Sequence, residues 1–230
     1  MANRFWVGGA GTWDASSTTH WSTSSGGAAG ASAPTTADSV FIDASSGAGV
    51  ITLSWANAAS LDCTGSTNTL TGNFLQCYGS VTLASGGTYT GLSLGAIAVM
   101  GSGTLTPAGK TIASLLLNAT DLTIAGSLTV SGAVSLVTST TIQIQSGSTL
   151  TLGDITGPGS GGNANIRSAS AGSTATISDS SGTNQIDRTN LKDLVFSGGA
   201  TWIAGPGSVN QGNVSGISFL SSGFFPLEIF

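Results

Sequence analysis

Residues 126–152 read GSLTVSGAVSLVTSTTIQIQSGSTLTL, and the alternation in this stretch decides the fold. Leu128-Thr129-Val130, Ile142-Gln143-Ile144 and Leu150-Thr151-Leu152 each place two apolar residues two positions apart around a polar one. That is the pattern of a short strand with one buried face. Gly126-Ser127 and Gly147-Ser148 come shortly before two of these strands, where glycine permits a sharp corner. The same pattern extends upstream through Gly79-Ser80, Val81-Thr82-Leu83 and Gly103-Thr104. Leu61, Leu83, Leu105, Leu128 and Leu150 then form a column with steps of 22, 22, 23 and 22 residues. A second column reads Leu70, Leu92, Leu115 and Val137, and a third Cys77, Val99, Leu122 and Ile144. All three gain one residue between Leu105 and Leu115, where Pro107-Ala108-Gly109 offers a turn.

Three short strands and three corners in about 22 residues describe one coil of an all-β, parallel β-solenoid (β-helix). The general preference of parallel connections predicts a right-handed one. A β-sandwich shares the turn frequency but does not predict columns at a fixed spacing. The pattern divides the chain into an N-terminal cap over 1–49, regular coils over 50–153, and irregular coils, cap and apolar tail over 154–230. A solenoid must cover its terminal coils. Trp6, Trp13 and Trp21 crowd one end, and Trp202, Phe219, Phe224, Phe225 and Phe230 the other. The three N-terminal tryptophans are expected to pack near Ile51 and Leu53; the alternative is an exposed sugar-stacking platform. The tail residues Phe224, Phe225, Leu227, Ile229 and Phe230 are expected at a subunit interface, with docking on the chain's own last coil as the alternative.

Composition narrows the function classes. Of 230 residues only 7% are charged, 35 are glycine, and mean hydropathy is +0.30. Five Lys+Arg against ten Asp+Glu, a net charge of −5, cannot neutralise a phosphate track, so nucleic acid is excluded as a partner. No apolar run is long enough for membrane insertion, and Met1-Ala2-Asn3-Arg4-Phe5-Trp6 lacks the apolar stretch of a secretory signal. The only cysteines, Cys63 and Cys77, fall at apolar strand positions; they are read as free buried thiols, with a bridge as the alternative.

The N-terminal order Trp6-Val7-Gly8-Gly9-Ala10-Gly11-Thr12-Trp13, Trp21-Ser22, Pro34-Thr35 and Asp38-Ser39-Val40-Phe41-Ile42 resembles the opening of β-helical bacteriophage structural proteins and bacterial surface proteins. Gly198-Gly199-Ala200-Thr201-Trp202, with Asn210, Gly212-Asn213 and Gly216-Ile217-Ser218-Phe219 after it, is similar to their closing segment. The resemblance covers about 45 residues at the start and 25 at the end. It implies a right-handed β-helix carried outside a phage particle or a cell, as fibre, spike, decoration protein or adhesin.

Signals for chemistry are sparse. His20, the one histidine, is read as a cap residue making a structural hydrogen bond. Pro107-Ala108-Gly109-Lys110-Thr111 has the wrong glycine spacing for a phosphate loop, and β pattern follows it. Sugar hydrolysis needs two facing carboxylates. Asp62 and Asp121 are placed outward and Asp154 at a corner, leaving Asp179, Asp187 and Asp193 as an acidic cluster near Arg167, Arg188 and Lys192. No catalytic, cofactor-binding or metal-binding residues are assigned, and no cofactor is expected. The expectation is a non-enzymatic structural protein of a bacteriophage virion, on capsid or tail as decoration, fibre or spike, assembled in the host cytoplasm and displayed on the virion surface. Its partners are further copies of itself in a homotrimer and other virion proteins, with a host surface glycan as a further one. The alternatives are a carbohydrate-binding or adhesin module and a small glycan hydrolase.

Overall fold

Strands mostly of two to five residues, separated by glycine-rich corners, cannot bury a face alone, so successive coils stack and bury it together. The computed structural model describes residues 1–89, 96–118 and 121–220, with backbone only for 96–99. It is a parallel β-solenoid with three faces per coil. The first face is an eleven-stranded sheet running from Trp21–Ser22 at one edge to Val209–Asn210 at the other. Ten of these strands are parallel, which gives a stack about 43 Å long at ~4.8 Å per coil. The second face starts with Gly11–Trp13, Val50–Leu53 and Thr69–Gly72. The third starts with Ala56–Ala58 and Leu75–Cys77. Two long strands, Leu128–Leu136 and Thr149–Thr156, run from the second face into the third; their pairing shifts register between Val130 and Ala133, where they bend.

One inward row of the first face is Val40, Leu61, Val81, Leu105, Ile124 and Ile144, each paired with the next and almost wholly buried. Its steps are 21, 20, 24, 19 and 20 residues, so the coil is not a fixed 22. This corrects the leucine columns. Val81, not Leu83, lies between Leu61 and Leu105. Leu128 is on the second face, paired with Leu150, while Leu105 pairs with Ile124 on the first. Leu115 aligns with Val134, not Val137; Val99 precedes Leu117, not Leu122; and Leu122 pairs with Ile142, not Ile144. Leu92 lies outside the described residues. The reason is geometric. Corners absorb insertions freely, while alternation places an apolar residue at every second position. A 22-residue step therefore tends to land on a buried side chain even when it has missed the true neighbour by two residues, or by one face; Val137, three residues past Val134, is only half-buried.

Coiling also reaches beyond 50–153 in both directions. Asn3–Trp6 already pairs in parallel with Ser39–Phe41, and Gly11–Trp13 with Val50–Leu53. At the far end Leu194–Gly198 pairs with Val214–Ser215, and Thr201–Ala204 with Ser218–Phe219. Glycine at the corners lets coils approach. Gly198 has φ +92, and a Cβ there would run into the Asp179 carbonyl of the coil before it.

Cys63 and Cys77 are free and buried. Burial pushes the Cys63 thiol up to about 12 and raises that of Cys77. Both are thus expected to stay silent toward a thiol reagent at pH 8 and to react stoichiometrically only in denaturant; rapid labelling of the native chain would refute this.

Candidate functional site

The N-terminal glycine-tryptophan motif builds a covered end. The chain leaves the first face at Trp6, turns through Gly8 and Gly9 (φ +88 and +73), and enters the second face at Gly11. The Trp6 indole N–H donates to the Gly9 carbonyl at 2.7 Å, fixing this turn. His20 stacks on Trp6 with ring centroids 4.6 Å apart and 7° between planes. Its Nδ1 sits 3.0 Å from the Val7 carbonyl, so that nitrogen carries the proton. Gly11 is glycine because any Cβ would strike this imidazole. Trp21 meets both Trp6 and Trp13 edge-on, at 5.1 and 5.2 Å. All three tryptophans are buried, and Trp13 pairs with Leu53 of the next coil. None of them is available to a ligand.

The Pro34-Thr35 to Asp38 motif fastens this end. The Asp38 carboxylate accepts from the Ala2 amide at 2.9 Å, the Thr35 hydroxyl at 2.8 Å and the Thr35 amide at 3.1 Å. Burial opposes ionisation of Asp38. The Thr35 hydroxyl, these two amides and nearby Arg4 outweigh it, so its pKa lies below the ordinary carboxylate value. Such a group stabilises the fold above the unfolded-chain value near 3.9, and the contribution vanishes as pH falls through the lower folded value. Asp38→Asn is expected to cost roughly 1 kcal/mol at pH 7 and to flatten the loss of stability below pH ~4. Urea melts across pH 2–7 give the readout, and an unchanged acid limb would contradict the assignment.

The three C-terminal aspartates do not form a cluster. In one coil Asp179 ends Ala175–Asp179 on the second face, Asp187 follows Thr183–Ile186 on the third, and Asp193 follows Thr189–Lys192 on the first. They occupy three different corners. Strands of four or five residues separate corners by about 13–17 Å, beyond the ~5–9.5 Å over which paired carboxylates work on a glycosidic bond. Each is also engaged as a brace. Asp179 accepts from the Asn184 side chain at 2.8 Å, and Asp187 from that of Gln185 at 2.9 Å. Asp193 accepts from Asn213 at 2.8 Å and from the Gly172 amide at 3.1 Å, bonds that hold its pKa down. A hollow of about 250 Å³ beside it is lined by Gln143, Arg167, Ser168 and Lys192. Arg188 lies elsewhere, donating to the Gly161 carbonyl.

Asp62 is half-buried; Asp121 and Asp154 are exposed. Pro107-Ala108-Gly109-Lys110 is a tight corner closed by the Lys110 amide on the Pro107 carbonyl, and a strand follows it. Among the described residues no group of three or more His, Cys, Asp or Glu is placed to hold a metal ion. No helix among them is long and apolar enough to cross a membrane. Trp202, on Thr201–Ala204, packs on Phe196 at 5.1 Å and donates to the Ser197 carbonyl, one coil before the last described one. The tail residues Phe224, Phe225, Leu227, Ile229 and Phe230 lie outside the described residues. Comparison of the chain with protein-family models, curated proteins and solved structures finds no match.

One surface that the sequence reading did not single out stands apart. Trp55, at the corner between second and third faces, is 66% exposed and has φ 56. A bulky side chain seldom adopts that conformation. The Asn57 side chain donates to the Trp55 carbonyl at 3.0 Å and holds the corner. Phe74 occupies the equivalent corner of the next coil, with ring centroids 5.8 Å apart. A hollow of about 370 Å³ lies between Trp55, Asn73, Phe74 and Gln76. The signal for it was present as a spacing of 19: Ser54-Trp55-Ala56-Asn57-Ala58 and Asn73-Phe74-Leu75-Gln76-Cys77 share the order aromatic, apolar, amide, apolar.

Proposed function

We propose that this chain is a non-enzymatic structural protein of a bacteriophage particle, displayed on capsid or tail in a homotrimer as decoration, fibre or spike. The observation that carries the reading is the unbroken first-face ladder, closed at its N-terminal edge. A ladder of paired backbone is stiff along its axis and needs little side-chain variety, which suits a load-bearing or spacing element. Its outer surface supports the same role. Hydroxyl pairs such as Ser60–Ser39 and Thr156–Ser135 link neighbouring coils, and few charges interrupt them. The carboxylates most suggestive of hydrolysis act as corner braces. Purified particles should contain the chain in fixed stoichiometry by mass spectrometry, with antibody label on capsid or tail in electron micrographs. Its absence from such particles would sink the reading. Light scattering should give three times the 22.5 kDa of one chain, and removal of residues 223–230 should abolish that mass. A full-length monomer would remove the trimer.

A further inference from the structure

The geometry points to a binding site for a short neutral oligosaccharide on the third face, built by Trp55, Phe74, Asn57, Gln76 and Tyr78. The residues form a small grid. Asn57 pairs in register with Gln76, and inward Ala56, Ala58, Leu75 and Cys77 force their neighbours outward. The outward row of one coil is therefore Trp55, Asn57; that of the next is Phe74, Gln76, Tyr78. Aromatic rings flank a pair of amides, and Phe74 to Tyr78 spans about 13 Å along the strand.

This combination matches one ligand chemistry. A pyranose has an apolar C–H face, which an aromatic ring covers, and a rim of hydroxyls that both donate and accept. Asn and Gln amides offer both functions on one side chain. No residue of the grid is charged, so the site offers no ion-pairing partner to an anion or a cation. A hollow of about 370 Å³ falls in the range of small-molecule sites. Trp55 is held exposed in a strained backbone conformation, and such strain concentrates where a side chain serves binding. The other four tryptophans are at most 5% exposed, so this ring is the one presented to solvent. The inference does not rest on the virion reading, because either role can exist without the other.

The test uses the full chain and short neutral oligosaccharides of glucose, galactose, mannose and N-acetylglucosamine. Binding is followed by tryptophan fluorescence and by saturation-transfer NMR, with a sialylated oligosaccharide as the charged control. At least one neutral probe should shift Trp55 emission. Trp55→Ala should weaken binding at least about tenfold, as loss of a central aromatic does, and Gln76→Ala less. Trp55→Gly, suited to the φ of this corner, provides a second variant whose thermal melt should match or exceed wild type. Binding of no neutral probe, binding that survives both Trp55 variants, or binding of the sialylated control alone would each overturn the site. A change in oligomeric mass on Trp55→Ala would also overturn it, by making the patch a contact between copies.

Discussion

Trp6→Ala is expected to destabilise the chain by about 3–5 kcal/mol, the range for deleting a fully buried indole. The ring is wholly buried, stacks on His20, meets Trp21 edge-on and donates to Gly9. Its loss leaves the imidazole and the Gly8–Gly9 turn without support, so the damage should begin at the N-terminal coil. Hydrogen exchange should accelerate first across residues 4–13 and 39–42, before the central coils change. A sharper contrast comes from conservative variants. The Trp21 indole N–H finds no acceptor among the described residues, whereas that of Trp6 does. Trp21→Phe should therefore cost less than Trp6→Phe, since it removes a buried donor without breaking a bond. Equal costs in urea denaturation would show that hydrogen bonding at this end is unimportant.

Leu128→Ala should cost about 2–5 kcal/mol through lost burial and a residual cavity. Leu128 is 1% exposed and begins the long strand that bends from the second face into the third. It pairs with Leu150, which pairs with Ile177, which pairs with Phe196. A void there removes a contact from an unbroken apolar row, and backbone pairing above and below prevents the coil from collapsing into it. Denaturant melts should show a lower midpoint with an unchanged slope. A loss below about 1 kcal/mol would mean that this row is loosely packed.

The architecture was legible in the sequence because alternation and corner glycines act locally: Val81-Thr82-Leu83 or Ile142-Gln143-Ile144 can only be a half-buried strand. Register was not legible, because it depends on how many residues each corner holds. Leu105 shows this well. The next leucine in the column lies 23 residues on, but the coil closes after 19, at Ile124. The tryptophans divide in the same way. The glycine spacing around Trp6 and Trp13 points to a turn and hence to a cap. Trp55 stands two residues beyond inward Leu53, where continued alternation would bury it, and the left-handed turn of its own backbone swings it outward. The acidic residues near Asp187 looked adjacent because a coil is short in sequence. Wrapped around three faces, they point in three directions.

The antiparallel strand Trp21–Ser22 has a consequence for how such molecules meet end to end. Every other neighbour on the first face is parallel, and an open parallel edge invites another copy to continue the stack without limit. Here the edge is finished by a reversed strand only two residues long, whose Trp21 carbonyl is taken by the Gly30 and Ala31 amides at 3.0 and 2.9 Å. An incoming strand finds the wrong polarity and an occupied acceptor. On this face the N-terminal edge is thereby closed to a simple continuation of the parallel ladder, although nearly every coil presents the spacing of a cross-β fibre.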